Sequence, residues 1–430
     1  MRNDPDPTRI DEEAPAHVAE DDGRARTGGA PDPVAAPARP AALGRGPQAS
    51  PQGDGGRPVA EEARSRGRRL LLEKALHFAV ALFLFILAIQ LMSRGAQAVS
   101  GDIKGRFPFA NGLSTLGFGW LSAYIVLSGS PVAAVALNLH HAATINDLQT
   151  FTMLSGSRLG ASFIVLLVGF LYAVRGRGGR RERSIGMGVL ALSLTALVYL
   201  PGMLIGYVMV KRGTLSAIHW EASRELLSVI DVVWGPVVRL LAGSGADGGL
   251  VPAPLLLPFG LAVILLSFKL LDLVLPEIDH ERHAENNQHW LRRPWPMFFL
   301  GCVAAALTLS VSVALTALVP LASKGHVTRR ESIPYIMGAN ITTLADTLVA
   351  AMVLGDPGGV RIVLAEAIGV ALVSLFILSF LYRPVAKGII ALDDWVVRTN
   401  LRLWLFVACL FVAPVFFLLS GLVLGPVATP

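Results

Sequence analysis

The stretch TLSVSVALTALVPLASKGHVTRRESIPYIMGANITTLADTLVAAM, residues 308–352, decides how the rest of the chain is read. It starts in an apolar run carrying Thr308, Ser310, Ser312 and Thr316, turns at Pro320 and crosses a short basic loop. It then enters a second apolar run through Gly338, Asn340, Thr342 and Thr343. Hydroxyls inside an apolar run supply donors and acceptors where a helix breaks. Half-helix N-termini then favour anions and exposed carbonyls favour cations. The plainer alternative is that such residues pack helices closely or bond back to their own helix. Sliding the chain along itself at one fixed offset finds the pattern again: Leu127-Ser128-Gly129-Ser130 falls on Leu309-Ser310-Val311-Ser312, Gly119 on Gly301, Ala123 on Ala305 and Gly156 on Gly338. That makes six identities in the 44 positions from 119 to 162. The arrangement says more than the count, because 75–93 falls on 257–275 and 184–210 on 366–392, both within or overlapping apolar segments.

Around this pair the chain is apolar. Of its 430 residues 53% are hydrophobic and 16% charged, against about 25% charged in soluble domains. Residues 1–68 are rich in Pro, Ala, Gly, Asp and Arg, a composition that cannot bury enough surface to order itself. They lack the apolar core of a secretory signal. Apolar segments follow at 75–93, 112–139, 151–174, 184–210, 251–275, 296–322, 333–354, 360–381 and 403–424, with an amphipathic 214–242 that reads as interfacial. If 112–139 and 296–322 enter and leave on one face, the loops 61–74, 175–183, 276–293, 322–331 and 383–401 share the inside with 19 Lys and Arg, against 8 outside. A simple crossing by 112–139 would put the 175–183 arginines opposite the basic flank at Arg64–Arg69, against the positive-inside bias. The expected fold is therefore an all-α integral membrane protein with two inverted repeats, each with a re-entrant helical hairpin, and about seven full crossings. Its parts are a disordered cytoplasmic tail (1–68), repeat 1 (69–213), an interfacial connector (214–250), repeat 2 (251–400) and a terminal transmembrane helix (401–430).

Charged residues within spans are costly and point to function by default. Arg158, Asp346 and Glu366 are the three, and the same offset sets Arg158 on Asn340. Lys269 and Asp272 read as snorkelling from a helix end, and Asp231 and Arg239 as interfacial. His140-His141 and the His280, His283, His289 group read as solvated loop residues, and Cys302 and Cys409 fit neither a disulfide framework nor a metal motif. There is no P-loop, nucleophile elbow or His-Glu-x-x-His pattern, so no enzyme is expected. The net charge of +6 comes from short loops, which disfavours nucleic acid as a partner.

With these residues in view, 305–352 resembles the second repeat of the sodium–phosphate cotransporter family, in which Gln-Ser-Ser-Ser precedes a Pro-Leu turn and a Gly-x-Asn-x-Gly-Thr-Thr stretch. Leu309, Ser310, Val311 and Ser312 stand at the serine motif without its glutamine. Gly338, Asn340 and Thr343 match the second stretch, with Thr342 in place of a glycine and Leu344 of a threonine. In the first unit Ser128 and Ser130 again lack the glutamine, and Arg158 replaces the asparagine. The resemblance implies sodium-coupled phosphate symport by alternating access. Ser128, Ser130, Ser310, Ser312 and Arg158 would bind substrate at the midplane between the two serine hairpins, and Asn340, Thr342, Thr343 and Asp346 would bind the ion. The Arg158 guanidinium would take the place of a bound sodium or hold the anion directly. The expected partners are the bilayer, a small anion such as phosphate and sodium, with a homodimer as the candidate assembly. No cofactor is expected beyond sodium as coupling ion. The expected location is the plasma or inner membrane with the N-terminus cytoplasmic. A channel on the same hairpins and a non-transporting scaffold are the alternatives, and an intramembrane enzyme using Asp346 and Glu366 is the remotest.

Overall fold

The computed structural model describes residues 56–424 except 105, 107, 175–180, 219–222, 245–246, 275–292, 309 and 324–326. In chain order the helices are α1 (Gly56–Ile103), α2 (Gly112–Val126), α3 (Ser130–His141), α4 (Asp147–Ala161), α5 (Phe163–Val174), α6 (Arg181–Arg212) and α7 (Arg224–Ala242). After them come α8 (Leu256–Val274), α9 (Pro294–Thr308), α10 (Val311–Thr316), α11 (Leu318–Ser323), α12 (Arg329–Thr342), α13 (Leu344–Val353), α14 (Pro357–Phe376), α15 (Tyr382–Val397) and α16 (Asn400–Val423). Apart from a minimal ladder between Gly243–Ser244 and Asp247–Gly248, the described residues are helices and connections.

Seven helical stretches among the described residues are long and apolar enough to cross a bilayer: 72–103, 147–174, 184–212, 253–271, 329–353, 357–397 and 400–423. They coincide with the seven expected crossings. Their outward faces are apolar, most plainly on α16, where Leu401, Trp404, Phe411 and Phe416 are exposed and little of the helix is buried. A helix apolar on its exposed side is at home in lipid, not water. α16 is tied to the rest through α2, where Asn111 Nδ2 donates to Ser420 O at 3.3 Å and Tyr124 Oη donates to Leu410 O at 3.0 Å.

The offset read from sequence also relates element boundaries and glycine contacts. The offset that carries Leu127 onto Leu309 carries α2 onto 294–308, the bounds of α9, and α4 onto 329–343, within one residue of α12. α2 crosses α4 where a Cβ on Gly119 would overlap the Met153 carbonyl and one on Gly156 the Leu116 carbonyl. α9 crosses α12 where a Cβ on Gly301 would overlap the Tyr335 carbonyl and one on Gly338 the Phe298 carbonyl. The four partners correspond at that offset too, Met153 with Tyr335 and Leu116 with Phe298. Only glycine lets two helix backbones approach so closely, a small-residue contact usual within membranes. α6 runs through the middle, with Leu190, Leu194, Val198 and Tyr199 packed among Ile336, Met337 and Val370.

Three boundaries differ from expectation. The tail was read as disordered to residue 68, yet α1 starts at Gly56, because Ala, Glu and Arg from 60 to 69 are strong helix formers that run straight into the apolar segment. Residues 1–55 lie outside the described residues. The 383–401 loop is instead mostly helix: α14 continues through a π-helical turn at Ile377–Leu381 into amphipathic α15, making one stretch of 41 residues. Pro384 falls in the first turn of α15, where its missing N–H leaves no bond broken. The crossings 151–174 and 333–354 are each interrupted, at Ser162 and at Thr343. The His280, His283 and His289 loop lies outside the described residues.

Candidate functional site

Both serine motifs sit at helix breaks. α2 ends at Leu127, whose φ of 56° is left-handed, and α3 restarts at Ser130 behind Gly129, which supplies no side-chain cap, with Pro131 in the first turn. In the second unit Ser310 caps α10, its Oγ accepting from Val313 N at 3.3 Å. The two breaks meet: Ser312 Oγ donates to Leu127 O at 3.4 Å. Around this contact lies a cavity of about 260 Å³ lined by Ser128, Ser130, Ser310, Ser312, Thr316, Lys269 and apolar side chains. Two equivalent serine pairs, one from each unit, are thus brought onto one cavity, with the first turn of α3 beside it. Hydroxyls, a helix N-terminus and an ammonium are the donors that recognise an anion.

Arg158 does not line this cavity. It stands behind it in α4, with Nη1 donating to Ser130 Oγ at 3.3 Å and Nη2 to Thr347 Oγ1, and with Nη2 3.6 Å from Asp346 Oδ1. Asp346 accepts from Thr347 N at 2.5 Å and Thr347 Oγ1 at 2.9 Å. Among the described residues its other oxygen, and Arg158 Nε, complete no hydrogen bond. Glu366 of α14 is fully buried next to Arg158 and Ser155.

The other ion-binding candidates are otherwise engaged. Asn340 Nδ2 donates to Thr195 Oγ1 at 3.1 Å, and its carbonyl accepts from Tyr199 Oη at 2.9 Å. Thr342 Oγ1 bonds back to Gly338 O at 3.2 Å, and Thr343 Oγ1 to Asn340 O at 3.1 Å, the plainer reading of intramembrane threonines.

Three contributors escaped the sequence reading. Lys269 was assigned to snorkelling and instead lines the cavity; its position in an apolar run gave no hint of the serines across from it. Thr195 and Tyr199, one turn apart on α6, hold Asn340, and only that spacing within an apolar run could have drawn notice.

Two charge clusters mark the first residues of the equivalent helices α4 and α12, each begun by a capping box from Asn146 or Thr328. At the first, His140 Nδ1 is 2.6 Å from Asp356 Oδ2 and its Nε2 3.0 Å from Asp147 Oδ1. Burial alone would lower the His140 pKa. The two carboxylates outweigh it and push the imidazole up to about 9, so this ring is a cation and not the bland loop residue expected. At the second, Arg329 Nη1 reaches Asp393 Oδ2 and Asp394 Oδ1, each at 2.6 Å. Among the described residues no three His, Cys, Asp or Glu side chains are arranged so that they could hold a metal ion.

Residues 263–413, which run from α8 through most of α16, match the Na+/Pi-cotransporter family model. No curated protein and no solved structure matches the chain. The matched stretch carries half of the cavity's serines, Lys269, Asp346 and Glu366. With seven membrane-length apolar helices it describes a multi-pass membrane protein that carries a transporter-family segment.

Proposed function

We propose, from the match of residues 263–413 to the Na+/Pi-cotransporter family model, that the chain is a secondary active transporter of a small inorganic anion. Phosphate is the substrate and sodium the coupling ion, as in the family that residues 263–413 match. The observation that carries this reading is the single cavity onto which Ser128, Ser130, Ser310, Ser312 and Lys269 converge. Phosphate offers acceptor oxygens on every side, and this lining offers donors: four hydroxyls, the first turn of α3 and one ammonium. Arg158 acts from behind Ser130, fixing its hydroxyl instead of touching the anion. The two units are taken as inverted repeats that rock against each other and expose the cavity to either side in turn. The chain is placed in the plasma or inner membrane with its N-terminus inside, where the basic flank before α1 belongs.

The test is uptake of radiolabelled phosphate into proteoliposomes, with an inward sodium gradient and with choline in its place. Saturable uptake that needs sodium is expected. Ser128→Ala removes a cavity hydroxyl that no described residue engages, so folding should survive. Loss of one hydrogen bond to an anion should raise the half-saturating phosphate concentration about tenfold or more. Flux that never saturates would mean a channel, and no flux from folded protein a scaffold; either would overturn the proposal.

A further inference from the structure

Behind the cavity, Arg158 of α4, Asp346 of α13 and Glu366 of α14 are all buried, Glu366 completely. Their formal charges are one positive and two negative. Among the described residues Asp346 Oδ2 and both Glu366 oxygens complete no hydrogen bond, and the polar neighbours of Glu366 are Arg158 and the Ser155 hydroxyl. The other described elements packed against Glu366 bring no compensating charge. α6 contributes Tyr199, within electrostatic reach of all three groups, but its hydroxyl proton goes to Asn340 O. α12 contributes the neutral Asn340 and Thr343. α3 has its cation, His140, at the far end, engaged with Asp147 and Asp356. One positive charge is therefore missing from a place where an uncompensated carboxylate is severely destabilising.

We propose that Asp346 and Glu366, facing Arg158, hold one exchangeable monovalent cation, Na+ or a proton, and that this is the coupling site. The proposal rests on the transporter reading and deepens it. The duplication explains why one cation suffices. Arg158 stands where the second unit has Asn340, so the first unit carries a positive charge built into the chain. Arg158 also explains how cation and anion sense each other. One guanidinium nitrogen meets Ser130 in the cavity wall at 3.3 Å and the other lies 3.6 Å from Asp346. Filling the carboxylate pair frees Arg158 to hold Ser130 for the anion, and emptying it draws the guanidinium back.

The experiment uses the full chain, wild type and Glu366→Gln, with Asp346→Asn as second variant. Melting in detergent is measured against Na+ (choline keeping ionic strength constant) at fixed pH, and against pH without Na+. His140 titrates in both proteins, so the difference between them isolates Glu366. Proteoliposome phosphate uptake is then driven by an inward Na+ gradient or by an inward proton gradient. One of the two cations should stabilise wild type and drive uptake with a Hill coefficient of about one. In Glu366→Gln that stabilisation should vanish and the ratio of uptake with and without the gradient should fall to one. The responding arm identifies the cation. Wild type indifferent to both cations, or Glu366→Gln responding like wild type, would overturn the site. Cation-dependent stabilisation lost in Glu366→Gln, with no phosphate uptake by wild type, would keep the cation site and overturn the transport reading.

Discussion

Arg158 and Asp346 form one ion pair, but removing either should have very different consequences. Their side chains are 2% and 4% exposed and their charged atoms 3.6 Å apart. At an effective dielectric of about 20, that separation is worth about 4–5 kcal/mol of gross attraction. Arg158→Met forfeits this and the hydrogen bonds to Ser130 and Thr347, and leaves two buried carboxylates with no cationic partner. Breaking a buried pair this way costs about 3–5 kcal/mol. Asp346→Asn forfeits the same attraction, but removes a charge that also cost desolvation. It leaves Arg158 balanced by Glu366, and an amide oxygen can still accept from Thr347. A cost of no more than about 1 kcal/mol is expected. Both variants can be unfolded by titrating SDS into mixed micelles, followed by circular dichroism, in parallel with wild type. If Asp346→Asn proves as costly as Arg158→Met, Arg158 is not shared between two carboxylates and the cluster does not lack a positive charge.

Other expectations rest on single contacts. Gly119→Ala and Gly301→Ala each drive a methyl group into a facing carbonyl, so each should lower stability by about 1–3 kcal/mol. Because they are equivalent crossings, the two costs should agree to within about 1 kcal/mol, which the same SDS titration measures. His140 has a folded pKa of about 9, above its ordinary 6.5. Its contribution is therefore complete below about pH 6.5 and is lost as pH rises through about 9. At most about 3 kcal/mol is involved, less in practice because Asp147 is largely exposed. The melting temperatures of wild type and His140→Gln should therefore differ near pH 6 and converge near pH 10. Arg329→Met strands the buried Asp393 and should cost about 2–4 kcal/mol. Asp394→Asn, at an exposed carboxylate, should cost under about 1 kcal/mol, and thermal melts of the two would separate these outcomes.

The membrane class and the number of crossings were legible in the chain, because each depends on features local in sequence. An apolar run of about 20 residues must span or be buried whatever its neighbours do. The fixed offset between Gly119 and Gly301, and between Gly156 and Gly338, recurs because each unit solves the same packing problem with the same glycines. Helix ends were less legible: the extension through Tyr382–Val397 depends on a π-turn and an amphipathic face that needs a neighbour to bury it. Within the site, the serines were picked out by their pairing and expected to share one site, while the rest of its lining was decided by tertiary contact between two breaks far apart in the chain, at Leu127 and Ser312. Lys269 looked like any lysine near a helix end until α8 set it opposite those serines. Glu366 and Asp346 each stood out as a charge in a span, but only packing against α4 gave them a single guanidinium to share. A sequence records which charges enter the membrane; which of them neutralise one another depends on distances of a few ångströms between helices, and those are fixed when the helices pack.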